Sequence, residues 1–302
     1  MPAEKFGADY PFLDRKELLT FEEITQVATV AASLGVTKIR LTGGEPLLRR
    51  KIDDLVRMLA SIPGIQDIAL TTNGVSLGHY ADRLKQAGLS RVTVSLDAID
   101  PETFATMNGV GADVSRVLAG IEAAQEAGLP IKINSVIKKS INQQEVLPLA
   151  TYARQTGVHL RFIEFMDVGE TNQWSLKEVL PAHEIVAQLD QEYGITPEKR
   201  PEGAVAEEFV YRDGRCKVGI IRSVSQPFCH DCTRLRLSAQ GKLYGCLFAA
   251  TGTDIKGTLR NGASSSDLEG LLRNFWSRRS DRYSELRGKV TQKKIEMSYI
   301  GG

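Results

Sequence analysis

No cysteine precedes Cys216 in this 302-residue sequence, and only four occur in all. So sparse a set excludes a disulfide framework, and in a reducing compartment clustered cysteines point instead to metal. No apolar run approaches the ~18 residues needed to span a bilayer. The opening "MPAEKFGADYPF" lacks the charged start and apolar stretch of a signal peptide, so the expectation is a soluble, cytoplasmic protein. A formal net charge of +1 offers no polybasic surface to nucleic acid or a membrane, so any anion site has to be local. What is present is ordinary for a globular chain: 42% hydrophobic and 25% charged residues, enough for a sizeable core in one large domain or two.

The order of elements is regular. "LTFEEITQVATVAASLG" opens with a capping box, Thr20 and Glu23. Ile24, Val27, Ala31 and Leu34 then fall at helical spacing, and Gly35 ends the helix. Five short β-like runs follow: 38–43, 67–73, 91–97, 131–137 and 159–165. Helix-like stretches such as "RKIDDLVRMLASI", "YADRLKQAG", "VSRVLAGIEAAQEAG" and "QEVLPLATYARQTG" separate them. Alternation of this kind predicts an α/β fold with a parallel sheet and right-handed crossovers. A stretch rich in Pro, Gly and Glu, 195–208, reads as a loop before a less regular C-terminal part.

Side chains alternate between the two faces of a strand. Arg40 and Thr42 therefore share a face, as do Thr71 and Asn73, then Thr93, Ser95 and Asp97, then Lys132 and Asn134. Their neighbours Ile39, Leu41, Ile68, Leu70, Val92, Val94, Leu96, Ile131 and Ile133 form the opposite, apolar face. Parallel strands are normally apolar on both faces, and unpaired buried charge is costly. The polar face is thus expected to line a wet or ligand-filled cavity rather than an open solvated sheet. The fifth run, with Arg161 beside Ile163 and Phe165, does not follow the rule cleanly.

Two turns sit at strand ends, where α/β proteins bind ligands: "LTGGEP" (42–46 after Leu41) and "TTNG" (71–74). The stretch "FCHDCTRLRLSAQGKLYGC" is more specific. Cys229 and Cys232 form a C-x2-C pair, and Cys246 follows fourteen positions later. Spacing alone leaves two readings open. One is zinc with His230, Asp231 or Cys216 as fourth ligand; the other is a [4Fe–4S] cluster with three thiolates and one open iron. Arg234 and Arg236 are expected on one strand face, where their planar forks suit phosphate. Cys216 reads as structural, and His79, His159 and His183 have no partners at ligand spacing.

Taken together, "KIRLTGGEPLLRR", "LTTNG", "VSLDA", "FIEFMDVG", "FCHDCTRLRLSAQGKLYGCLF" and the final "IGG" resemble the GTP 3′,8-cyclase family of radical S-adenosylmethionine enzymes, over nearly the whole chain. The resemblance implies a radical-SAM type partial (β/α)6 barrel, residues 1–178, lacking its first strand, with a C-terminal α+β extension, residues 179–302, that binds the cluster and GTP. It implies conversion of GTP to a 3′,8-cyclised dihydroguanosine triphosphate in molybdenum cofactor biosynthesis. By position, Arg40, Thr71, Lys132, Arg234, Leu235 and Arg236 would contact GTP. Gly44, Ser95 and Met166 would contact S-adenosylmethionine. Cys229, Cys232 and Cys246 would hold a [4Fe–4S] cluster whose open iron takes the purine. Implied partners are GTP and an electron donor for cluster reduction, with no nucleic acid or membrane; a homodimer is one possibility. The family has asparagine before the first arginine of "RLRL", where this sequence has Thr233. It also has a second [4Fe–4S] cluster on a C-x3-C-x2-C loop followed by Met-Pro. This sequence opens with Met1-Pro2 and holds none of those cysteines. It therefore reads as a member lacking everything up to that point, including an arginine that helps hold GTP. The alternative is a catalytically inactive nucleotide and iron–sulfur binding protein of the same fold.

Overall fold

The structure is a computed structural model that describes residues 14–300 except 170, 171, 173, 202, 228, 230, 231, 286 and 288–294. All five anticipated runs are strands: β1 (Lys38–Leu41), β2 (Asp67–Thr72), β3 (Arg91–Ser95), β4 (Ile131–Ile137) and β5 (His159–Glu164). Each pairs in parallel with the next. The strands stop a residue or two short of the β-like runs at β1, β2, β3 and β5. At β1 the cause is local, since Gly43 takes φ +136, which favours glycine.

The C-terminal part adds to this sheet. β6 (Ile195–Pro197), β7 (Glu207–Tyr211) and β8 (Lys217–Ile221) complete the order β1-β2-β3-β4-β5-β8-β7-β6. β8 runs parallel to β5, making a sixth parallel strand, while β7 and β6 are antiparallel. The stretch 195–208 is therefore not only a loop: it supplies β6 and the start of β7. The overlooked signal was "RDGR" between two apolar runs, with Gly214 at φ +69. Asp-Gly between β-like segments marks a hairpin. A smaller antiparallel sheet, β9 (Arg236–Leu237), β10 (Lys242–Tyr244) and β11 (Thr253–Asp254), follows. This is the α/β fold with a parallel sheet and a C-terminal extension that the sequence implied.

Strand parity holds. Ile68, Leu70, Val92, Val94, Ile131, Ile133, Leu160, Phe162, Val218 and Ile220 are buried under the helices and join one core with Leu59, Leu84, Ile121 and Leu149. The crossover helices are Ile52–Ala60, Leu77–Gln86, Val114–Glu126 and Val146–Thr156. Helix Phe21–Ser33 has the expected capping box: Glu23 N donates to Thr20 Oγ1 (3.1 Å) and Thr20 N to Glu23 Oε2 (2.7 Å). Its inner residues Val27 and Val30 pack on Leu243, Ile255, Leu259, Leu268 and Leu272 of the C-terminal part. Glu23 also pairs with Arg260 at 2.8 Å. Two buried carboxylates fasten loops to strand ends. Glu164, 0% exposed, accepts from Ala182 N, Val224 N, Ser225 N and Ser225 Oγ. Asp167 accepts from Tyr283 Oη and Arg287 Nε, each at 2.7 Å. Among the described residues no helix is long and apolar enough to cross a membrane.

Candidate functional site

The polar strand face is a row of cations. Arg40 Nη1 donates to Thr71 Oγ1 (2.8 Å) and Thr93 Oγ1 (3.2 Å). Lys132 is in register with Thr93 on one side and His159 on the other. Arg161 is in register with Asn134 and with Gly219. The fifth run follows the alternation only in part, as expected. Its Arg161 belongs to the polar face, and Ile163 two residues on packs with Val136, Ala206 and Ile221 nearer the strand ends. Arg91, at the opposite end of β3, is paired with Asp67.

Crowding these groups shifts their proton affinities. Partial burial and the charges of Arg91 and Arg161 push Arg40 down to about 10, though solvent still reaches it. Burial, then Arg161 and Arg91, push Lys132 down to about 8. Burial pushes the Glu208 carboxyl up, but His159 and Arg161 outweigh it and hold the group at about 2. Like charges at ~4 Å repel by about 4 kcal/mol near a protein surface, so such a row is best stabilised by an anion. Two polar atoms on this face, Asn134 Oδ1 and Arg161 Nε, are buried without a hydrogen-bond partner among the described residues. Buried polar groups are seldom left so, which again favours a ligand.

The loops at the carboxyl ends of the strands form the rim. Glu45 of "GGEP" accepts from Thr72 Oγ1 and Asn73 N, both at 2.8 Å, and from Leu47 N at 3.0 Å. One carboxylate therefore ties the ends of β1 and β2. A Cβ at Gly43 or Gly44 would meet nothing within 4 Å, so both leave backbone open to approach. Ser95 ends β3 and is exposed. Met166, just beyond β5, packs with Val136, Ile163, Ala206 and Ile221. Burial lifts the Asp97 carboxyl to about 6, against a 2.8 Å bond from Val136 N.

Cys229, Cys232 and Cys246 are all free and half-buried in the C-terminal part. Cys232 N donates to Cys229 O (3.2 Å), closing a turn. Burial disfavours a Cys232 thiolate, yet Arg234, whose Nε lies 3.3 Å from Sγ, lowers the thiol below its usual range. Burial raises Cys246, helped by Asp281 and Cys229 and opposed by Phe248 N–H and Arg236. Arg236 senses both Cys232 and Cys246, and burial with Arg234 takes it down to about 10. Among the described residues no three His, Cys, Asp or Glu side chains converge at the spacing of a single metal ion. Cys216 stands apart at the start of β8, against the main core, with Sγ 3.9 Å from Arg154 O. His230 and Asp231 lie outside the described residues, as do Met1, Pro2, Gly301 and Gly302.

Arg234, in the C-terminal part, is among the charges that act on Arg40. The arginine pair differs from expectation in one respect. β9 holds only Arg236 and Leu237, and Arg234 precedes it, exposed. The Leu235 side chain packs into the C-terminal apolar cluster, so its backbone is what remains for a ligand. Sequence reasoning overlooked Arg161, Glu208 and His159. Arg161 was within reach of the alternation rule; Glu208 was not, because its neighbours come from another strand.

Residues 5–153 match the Radical SAM superfamily, and residues 158–285 match Molybdenum Cofactor Synthesis C. The chain is 49% identical over 331 residues to the GTP 3′,8-cyclase of Acidothermus cellulolyticus, covering 100% of this chain and 91% of that protein. It is 46% identical over 309 residues to the GTP 3′,8-cyclase of Staphylococcus epidermidis, with the same coverage. Among solved structures, Streptococcus suis SuiB bound to S-adenosylmethionine aligns with a TM-score of 0.59 at 15% identity, over 94% of this chain and 69% of that one. At that identity the likeness is one of fold.

Proposed function

Because this chain belongs to the GTP 3′,8-cyclase family, within the radical SAM superfamily, we propose that its basic strand face and its three C-terminal thiols form one GTP site. The family's role is in molybdenum cofactor biosynthesis, and its enzymes are radical SAM lyases. The observation that carries the reading is a single polar strand face that aligns Arg40, Lys132 and Arg161, drawn from both matched segments, with the charge of Arg234 also acting on Arg40. A triphosphate neutralises such a row, and arginine forks bind its oxygens in pairs.

In this reading Arg40, Thr71, Lys132, Arg234, Arg236 and the Leu235 backbone hold GTP, with the division between the two parts near residue 178. Gly44, Ser95 and Met166 on the rim receive S-adenosylmethionine. Cys229, Cys232 and Cys246 hold a [4Fe–4S] cluster. A single tetrahedral ion needs its sulfurs roughly 3.8 Å apart, as follows from a Zn–S length of about 2.3 Å. A cluster seats each thiolate on a different iron and tolerates a wider spread. At Cys232 the adjacent Arg234 favours thiolate over thiol, whereas burial favours the thiol at Cys246. When bound, that cluster supplies an open iron for the purine. The residues of this chain orient ribose and guanine so that C3′ and C8 face each other, and they keep the site dry. Thiolates for a second, S-adenosylmethionine-cleaving cluster are not among these 302 residues. Unlinked thiols suit the cytoplasm, and an electron donor is the remaining partner of the family's chemistry.

Arg236→Ala tests the reading. Hydrogen bonds to charged groups contribute about 1.5–3 kcal/mol, so GTP affinity should fall by roughly tenfold or more while guanosine changes much less. Equal losses for GTP and guanosine would remove Arg236 from the phosphates.

A second expectation follows from Lys132, whose proton affinity is depressed to about 8. Below that pH the ammonium is charged and attracts the triphosphate; above it the charge is lost. GTP affinity should decline as pH rises through about 8, and Lys132→Met should flatten that step. The free protein should respond with the opposite sign. Repulsion on Lys132 is fully present below pH 8 and is relieved as pH rises from there toward the ordinary lysine value. A pH titration of GTP affinity without a step in this range, unaltered by the substitution, would take Lys132 out of the site.

A further inference from the structure

Glu208 reaches the cation row from outside it. β8 lies between β5 and β7, and the registers align Arg161, Gly219 and Glu208 across the three strands. The outer two strands are therefore roughly 10 Å apart, yet their side chains touch. Arg161 Nη2 donates to Glu208 Oε1 at 3.2 Å, and Glu208 Oε2 lies 2.7 Å from His159 Nε2. Glu208 is ionised and so only accepts, which makes His159 Nε2–H the donor. The passage exists because Gly219 has no side chain. A Cβ there would lie 2.9 Å from Arg161 Cγ and 3.3 Å from Glu208 Oε2.

We propose that Glu208 is a positioning residue for nucleotide binding: it holds the Arg161 guanidinium in line with Lys132 and Arg40, so that a triphosphate meets an ordered row of donors. The proposal rests on the GTP reading above. The charged and titratable groups acting on Lys132 are Arg91 from β3, Arg161 and the registered His159 from β5, Arg40 from β1 and Glu208 from β7. Glu208 is the one carboxylate in that set. Without it Arg161 faces only like charge and swings toward solvent, and Lys132 falls below its already depressed value. Removing a carboxylate also adds general attraction for anions. That effect is shared by every anion and falls as salt is raised, whereas the loss of an aimed guanidinium is local and specific. The aimed contact dominates for GTP.

The test is a double-mutant cycle on the full 302-residue chain, purified anaerobically, with GTP and guanosine affinities measured by calorimetry. Glu208→Gln keeps the shape and removes the charge. It should weaken GTP by about tenfold, about the worth of one charged hydrogen bond, leave guanosine nearly unchanged, and shift the pH step downward. Glu208→Asp should restore part of the affinity. In the Arg161→Ala background, Glu208→Gln should cost little more. Gly219→Ala keeps every charge but pushes the pair apart, and should reproduce the Glu208→Gln pattern; it carries the test should Glu208→Gln fail to fold. If Arg161→Ala and Lys132→Ala leave GTP affinity unchanged, the GTP site itself is wrong and the proposal falls with it. If those two weaken binding while Glu208→Gln and Gly219→Ala do not, or if the Glu208 and Arg161 effects add in full, the GTP site stands and Glu208 has no positioning role.

Discussion

Replacing Cys232 with alanine is expected to abolish iron and acid-labile sulfide incorporation during anaerobic reconstitution, and Cys229→Ala and Cys246→Ala should do the same. Three thiolates are the smallest set that seats a four-iron cluster while leaving one iron open, so each is indispensable. Cys232 is the most exacting of the three. Its thiol is the one held below the usual range, with Arg234 Nε 3.3 Å from Sγ and Arg279 bonded to its carbonyl. Alanine there removes a ligand and also leaves Arg234 without its sulfur partner. Cys216→Ala is the control: its thiol faces the Arg154 carbonyl within the main core, and metal content should not change. Unchanged iron and sulfide in all three cluster variants would defeat the assignment. Zinc in place of iron in the wild-type protein would return the site to a single-ion reading.

Glu164→Ala should markedly destabilise the protein. The carboxylate is fully buried at the end of β5 and accepts four hydrogen bonds, three from backbone N–H groups and one from the Ser225 hydroxyl. Those donors belong to the start of helix Ala182–Tyr193 and to the turn after β8, so one side chain joins β5 to both segments that lead into the C-terminal part. Ala182 N is buried, and leaving it unsatisfied costs about 1–3 kcal/mol. Val224 and Ser225 are nearer solvent, where water can take over part of their bonds, so the loss is a large share of the roughly 5–15 kcal/mol that holds a domain folded rather than all of it. Glu164→Gln keeps two acceptor positions only at its carbonyl oxygen, and its amide would confront a donor; it should destabilise less than alanine but still clearly. Thermal denaturation with the wild-type midpoint in the alanine variant would show that the loops are held by something else.

Much of this was local information, and local information is readable in a sequence. The capping box at Thr20 and Glu23 spans three residues and formed as expected. The five parallel strands followed from runs of alternating character. The polar set Arg40, Thr71, Thr93 and Lys132 followed from the two-residue period of a strand, which fixes the facing of every side chain once one is known. The C-x2-C turn likewise brings Cys229 and Cys232 together without help from the rest of the chain.

Tertiary packing decided what alternation cannot reach. The addition of β8 beside β5 depends on a hairpin whose first strand begins more than forty residues after β5 ends. That addition alone brings Glu208 across Gly219 to Arg161 and His159. Nothing near Glu208 in the chain distinguishes it from the adjacent Glu207, which pairs with Arg222 instead. Arg234 acts on Arg40 although nearly two hundred positions separate them. Helix Phe21–Ser33 also joins the two parts of the chain, burying Val27 and Val30 against Leu243, Leu259 and Leu268. Periodicity reports which way a side chain faces relative to its own strand; which distant strand it then meets is chosen by the burial of apolar surface elsewhere in the molecule.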